Sequence, residues 1–401
     1  MKSSFYLILC VAFIDYIGIG LVFPLFSSIL FDPSGSLVSL ETTAAMRGVW
    51  LGVLIAAMPL AQFFSSPLWG TISDGKGRKK PLTFTLGLAF VGYLLAALAT
   101  YLDSLWGLLI SRLFIGCAAG NVSILQAAIA DITPKEGKSK NYSFYSMAMG
   151  AGFTLGPFFG GWLSTFGYPA SFLFVALLVC LNLIFVFFLF KETSPFRIKK
   201  KLHLAMSFIL LKKAFLLHGL KTILFCSFLG TFGWVYFFEF VPVFFIKNFQ
   251  FSPKDLGLFF MVAGGMYTLS TGLLIRPLLK RFKPELLLFV SMLLSGALIF
   301  SLAFSPSAIW VWPLMLLIVY SDAPFSPTST TLVSDGAPPE IQGEALGVLG
   351  SINAAAFALS PLLSGSLVGD YPQMPMWIGG SLLCTSGIIG CVVFRSKLYK
   401  I

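Results

Sequence analysis

Charge is what this sequence has least of. Among 401 residues only 16 are acidic and 27 basic, while 57% are hydrophobic. A chain of that composition cannot coat a globule with a solvated surface, which excludes a water-soluble domain and leaves an integral membrane protein. Histidine is nearly missing: His203 and His218 both fall outside the long apolar runs. Six cysteines, Cys10, Cys117, Cys180, Cys226, Cys384 and Cys391, contain no C-x-x-C pair and read as small apolar packing residues. There is no glycine-rich nucleotide loop and no cluster of metal ligands. Neither an enzyme, a metal nor a cofactor is expected.

What the chain has in abundance is apolar length. Predominantly apolar stretches of roughly 20 residues recur twelve times, at 5–30, 47–69, 82–101, 105–130, 142–164, 170–190, 221–246, 255–275, 286–304, 308–333, 344–368 and 375–394. They are numbered here as spans one to twelve. The runs are continuous rather than alternating, so they read as helices and not as barrel strands. With the N-terminus in the cytoplasm, all of the 27 Lys and Arg except Arg47, Arg112, Lys247 and Lys254 fall in cytoplasmic segments. That is the positive-inside bias, and an even number of spans keeps both termini inside. The net charge of +11 is therefore topology, and no nucleic acid is expected. The first run is too long for a signal peptide and lacks a small-residue cleavage site.

The chain repeats itself. "ADITPKEG" and "SDGAPPEI" share D-x-x-P-x-E, as Asp131, Pro134, Glu136 and Asp335, Pro338, Glu340, displaced by 204 residues. The same displacement carries Gly156, Pro157 and Gly161 of "GFTLGPFFGG" onto Ser360, Pro361 and Gly365 of "AFALSPLLSG". Two matches at one offset predict two six-helix bundles, 1–190 and 221–401, related by a pseudo-twofold axis. Between them, 191–220 is basic, holds both histidines, and carries an apolar run at 202–211 too short to span. It reads as a linker lying along the cytoplasmic leaflet.

These features resemble the major facilitator superfamily, and within it the twelve-helix drug:proton antiporters that include the tetracycline exporters. "GTISDGKGRKK" is similar to the loop signature between helices two and three, through Gly70, Asp74, Gly77, Arg78 and Lys79. "RLFIGCAAGNVSILQAAIAD" resembles the helix-four signature that begins with Arg112, and "GAGFTLGPFFGG" the helix-five antiporter signature, through Gly152, Gly156, Pro157, Gly160 and Gly161. "IDYIGIGLVFP" is similar to helix one of the tetracycline exporters. The resemblance implies a monomeric secondary transporter in a bacterial inner membrane that needs no cofactor but a proton gradient. Its partners would be protons, a small-molecule substrate and the bilayer. It implies proton-coupled export of lipophilic or cationic compounds by alternating access; proton-coupled import of a metabolite is the alternative. The second loop signature is reduced to "GLLIRPLLKRFKPE", with Arg276 where an acid would stand, and span nine offers only Glu285, at its entry. Both departures speak against tetracycline itself as substrate.

Four ionisable residues lie well inside spans: Asp15, Arg112, Glu239 and Asp322, on spans one, four, seven and ten. The resemblance implies that these spans line the central cavity. A charge at the bilayer centre costs about 2.5–3.5 kcal/mol, so the four are expected to face water or one another. A carboxylate can hold a proton or a cation, and at Asp15 the two would compete. The resemblance implies a pairing of Asp15 with Arg112. By helical rise, about 1.5 Å per residue, Glu239 matches the depth of Arg112 better, and the pairing stays open. Trp234, Tyr236 and the phenylalanines around Glu239 offer an aromatic wall for a lipophilic cation, or plain lipid contact. Asn121 and Gln126 on span four read as substrate contacts or as helix-to-helix hydrogen bonds.

The remaining motifs have mechanical readings. Gly70 and Gly77 suit tight turns, and Asp74 with Arg78 can form a switchable ion pair. The span-five glycines allow close packing and Pro157 can kink that helix, which the resemblance implies is a seal against leak. Pro324 and Pro327 directly follow Asp322, which predicts a broken span ten.

Overall fold

The computed structural model of the chain describes residues 2–31, 37–38, 41–133, 138–194, 220–273, 275–337 and 342–394. Most of the expected linker, with both histidines, lies outside the described residues, as do Pro134, Glu136, Pro338 and Glu340 of the repeat. Among the described residues every regular element is a helix. Ten spans are single helices: Lys2–Phe31, Ala44–Lys76, Lys79–Tyr101, Lys138–Leu163, Tyr168–Leu189, Lys221–Phe249, Pro253–Leu273, Pro284–Leu302, Gln342–Val368 and Met374–Val393. Spans four and ten are each two helices in tandem, Leu105–Ala118 with Asn121–Ile132, and Ala308–Asp322 with Phe325–Asp335. Among the described residues, ten of the twelve spans are long and apolar enough to cross a membrane. Spans five and eight are the other two.

Local chemistry explains where the helices begin and stop. Ser104 caps span four, its Oγ accepting from the backbone N–H of Gly107 at 3.1 Å. Gln250, at φ 56°, ends span seven in the left-handed conformation. Pro59, Pro67, Pro157, Pro242, Pro313 and Pro361 all sit within continuous helices, so Pro157 does not break span five. The interruption predicted after Asp322 is present, at Ala323 and Pro324. Gly70 corrects its expected role: span two continues as helix to Lys76, and Gly70 lies inside it rather than in a turn.

The chain divides into two compact units. One gathers Met1–Glu41, Ala57–Ser207 and Ser252–Met261; the other gathers Thr42–Ala56, Phe208–Phe251 and Val262–Ile401. The start of span two thus belongs with the second unit and the start of span eight with the first. In the first unit, span five lies on span one: a Cβ on Gly152 would stand 2.2 Å from the Phe13 carbonyl oxygen, and one on Gly156 2.5 Å from that of Ile17. On the same span, a Cβ on Gly161 would meet the Pro253 carbonyl oxygen at 2.2 Å. In the second unit, Gly48 and Gly365 meet in the same way, each Cβ position 2.0–2.4 Å from the other's carbonyl oxygen. In lipid, where apolar burial gives helices little reason to associate, such backbone approach and its dispersion contacts hold them together. Large side chains such as Phe188 and Ile309, 72% and 78% exposed, face outward, as suits a lipid-covered surface.

Candidate functional site

In the first unit, Asp15 sits midway along span one, half-buried. Its Oδ2 accepts a 2.7 Å hydrogen bond from Asn121 Nδ2, the first residue of the second helix of span four. Asn121 is 2% exposed. Both line a cavity of about 20 Å³, together with Met58, Tyr93, Ile115 and Ala119, large enough to hold one water. Arg112, 3% exposed, stands on the other piece of span four. Its guanidinium lies 5.1 Å from the Phe26 ring centroid, and Nη2 reaches Met58 Sδ at 3.3 Å. Tyr93 is within electrostatic reach of both Arg112 and Asp15. Sequence reasoning passed over Tyr93 because a lone tyrosine on an apolar helix carries no motif.

A second cluster lies at the end of span two. Arg78 donates from Nη1 to Asp74 Oδ1 at 2.8 Å and to Ser73 Oγ at 2.7 Å, and from Nε to Asp131 Oδ2 at 2.9 Å. The expected Asp74–Arg78 pair is therefore a triad, and its third member ends span four. Burial works to lower the Arg78 pKa, but hydrogen bonds and charge from Asp131 and Asp74 outweigh it and hold the guanidinium above its usual value.

Glu192, just past span six, closes the cluster. Its Oε1 accepts from the backbone N–H groups of Arg78 at 2.7 Å, Thr193 at 3.0 Å and Ser194 at 3.1 Å, and its Oε2 from that of Lys79 at 3.2 Å. The carboxylate thus caps the N-terminus of span three, where the helix dipole favours negative charge. Partial burial would raise its pKa, yet the four N–H donors hold it below the usual range. Gly77, at φ +87°, has no room for a side chain: a Cβ would stand 2.4 Å from Glu192 Oε2. By contrast, a Cβ on Gly70 would make ordinary contact with Ser123 Oγ at 3.5 Å. Lys79 contributes its backbone N–H, and among the described residues its side chain makes no salt bridge. Glu192 went unnoticed in the sequence because it follows an apolar run at a linker boundary and the amides it caps, those of Arg78 and Lys79, lie far away in the chain.

In the second unit, Glu239 and Asp322 are 3% and 4% exposed. Among the described residues Asp322 Oδ1 has no hydrogen-bond partner, and Tyr267 of span eight lies in its electrostatic reach. Trp234 stacks on Phe238, ring centroids 5.7 Å apart at 19°, while Tyr236 is buried against Phe240. Thr231 Oγ1 and Asn353 Oδ1 are bonded at 3.1 Å. Gln126 is exposed, and its backbone carbonyl accepts from the Tyr142 hydroxyl at 3.0 Å. Of the span-five residues, Gly152, Gly156 and Gly160 face span one. Gly161 meets span eight, where the carbonyl of Pro157 lies 2.5 Å from a Cβ position on Gly257. No group of metal-ligating side chains occurs among the described residues.

Comparison with known proteins follows the same lines. The family profile described as Major Facilitator Superfamily matches residues 8–361. The tetracycline resistance protein, class H, of Pasteurella multocida is 25% identical, over 99% of this chain and 98% of that one. The quinolone resistance protein NorA of Staphylococcus aureus is also 25% identical, over 100% of this chain and 99% of its own. A solved D-xylose-proton symporter superposes with a TM-score of 0.72 at 19% identity, covering 95% of this chain and 96% of that one, a likeness of fold alone.

Proposed function

The chain belongs to the major facilitator superfamily, a family of multi-pass membrane transporters for small molecules and not of enzymes, and on that footing we propose that it exports small lipophilic or cationic compounds in exchange for protons. The observation that carries this reading is Asp15: a carboxylate in mid-span, bonded to Asn121 beside a small cavity. An acid so placed costs about 3 kcal/mol in lipid; the exchange of a proton for a substrate gives it a use. Relatives named for resistance to tetracycline and to quinolones support export over import. In this reading Glu239 and Asp322 make further proton or substrate contacts, with Trp234, Tyr236 and Gln126 near the substrate. The chain works as a monomer in a bacterial plasma membrane with both termini in the cytoplasm, and the halves 1–190 and 221–401, joined by the linker 191–220, rock about the site. Across about 150 mV one proton supplies about 3.5 kcal/mol, enough for a substrate gradient of a few hundredfold.

The test is a panel of lipophilic cations and metabolites added to energised everted vesicles. Proton release evoked by a lipophilic cation supports exchange. Proton movement together with a metabolite identifies an importer and overturns the reading. Asp15→Asn should reach the membrane at normal levels yet lose pH-driven transport, and wild-type coupling in that variant would exclude Asp15 as the proton site.

A further inference from the structure

The helix Asn121–Ile132 is tied at both ends. At its first residue Asn121 donates to Asp15 at 2.7 Å, and in its last turn Asp131 accepts from Arg78 at 2.9 Å. The two are separated by ten residues of one helix, about 15 Å at 1.5 Å per residue. Upstream, Ala119 and Gly120 form a turn of right-handed helical backbone that joins this piece to Leu105–Ala118.

A helix end leaves carbonyls without partners, and here span two supplies them. Ser65 Oγ donates to the Gly116 carbonyl at 3.1 Å, Trp69 Nε1 to that of Cys117 at 2.8 Å, and Gln62 Nε2 to that of Ala119 at 3.3 Å. In return Ser123 Oγ donates to the Ser66 carbonyl at 3.0 Å. Gly120 lies so close to span two that a Cβ would stand 2.4 Å from Trp69 Cδ1. No proline enforces this break; it is held open by side chains from a neighbouring helix.

We propose that Asn121–Ile132 is a lever that transmits the state of the Asp15 carboxyl to the Arg78 cluster, and that Ser65 and Trp69 are positioning residues that hold its pivot. The inference rests on the reading of Asp15 as the proton site. When a proton joins the Asp15 carboxylate, the charge-assisted bond from Asn121 becomes a weaker neutral one and the head of the lever is released. Its tail carries Asp131 against Arg78, whose position sets the junction of spans two and three. By linkage, loosening Asp131 from Arg78 alters the proton affinity of Asp15 by the same factor. The groups that face Asp15 are Tyr16 on its own helix, Tyr93 on span three, Tyr145 on span five, and Arg112 and Asn121 on span four. Those that face Asp131 are Arg78, Thr193 and Tyr142.

The test is an infrared pH titration of the purified full chain in nanodiscs, reading the carboxyl C=O band that disappears in Asp15→Asn. Asp131→Asn is compared in two backgrounds, wild type and Ser65→Ala with Trp69→Phe; the pivot substitutions change no charge, and folding of every variant is checked by circular dichroism. A coupling of 5–150-fold, the usual range, moves the midpoint by about 0.7–2 pH units in the wild-type background, and loosening the pivot should remove at least half of that shift. An equal shift in both backgrounds means that the charge acts through space, and no shift means no coupling; either overturns the lever while leaving Asp15 as proton site. A spectrum in which Asp15→Asn removes no titrating band overturns both readings.

Discussion

Spans four and ten break at positions that differ by the 204 residues of the internal repeat, Ala119 and Gly120 in one, Ala323 and Pro324 in the other. The backbone event is the same, but its cause and use differ. In span ten Pro324 lacks an N–H, and the interruption is written locally. In span four Ser65, Trp69 and Gln62 of span two hold it. Beyond the break, Asn121 reaches a half-buried acid in the first case, whereas Phe325 packs against Gly230 in the second. At the far end Asp131 is bound to Arg78, while Asp335 is exposed. Among the described residues, one duplicated scaffold thus holds an ion cluster in its first copy and an apolar joint in its second. The acid that would complete a second cluster is replaced in sequence by Arg276.

That asymmetry can be broken experimentally. Arg78→Ala should have the largest effect, because it leaves Asp74 and Asp131 facing each other: a loss of about 3 kcal/mol and of most transport, measured by thermal unfolding in detergent and by vesicle flux. Gly77→Ala comes next, with about 1–2 kcal/mol from its left-handed backbone and a further clash with Glu192. Relief of that defect by adding Glu192→Ala would sharpen the account, since only the clash, not the backbone cost, disappears.

Glu192→Gln should have a smaller, pH-dependent effect. The folded pKa of Glu192 lies below its ordinary value of 4.5, so its contribution is complete above the unfolded pKa and is lost as pH falls through the folded one. Wild type should therefore unfold at a higher temperature than the variant at pH 7, and the two should converge as pH falls from 4.5 through the folded pKa. A difference that persists in acid would assign the effect to shape rather than charge. Smallest of all, Asp335→Asn should leave both stability and flux within about 0.5 kcal/mol of wild type, in contrast to Asp131→Asn.

Much of the molecule was legible without coordinates, for reasons that are local. Membrane spans announce themselves by apolar length, and all twelve are helical where expected. Pro324 announced the break in span ten. Asp74 and Arg78 sit one helical turn apart in sequence, and their pair was foreseeable. Gly70 was misread because a glycine beside a signature loop looks like a turn, although the helix simply continues past it. Asn121 was noticed as a polar residue on an apolar helix, but its partner was not.

Length, composition and the displaced repeat by themselves determined the class of protein and the number of spans, and the short signature motifs carried the resemblance to the family, since each depends on residues close in sequence or on their sum. Only the tertiary structure decided that Asn121 would meet Asp15 across 106 residues, or that Glu192 would reach the amide of Arg78 across 114. It also decided that span four would break without a proline. These are hydrogen bonds between groups whose spacing along the chain carries no period and no motif. They exist because helix packing in lipid brings particular backbones within reach, and a buried polar group must then find its partner there.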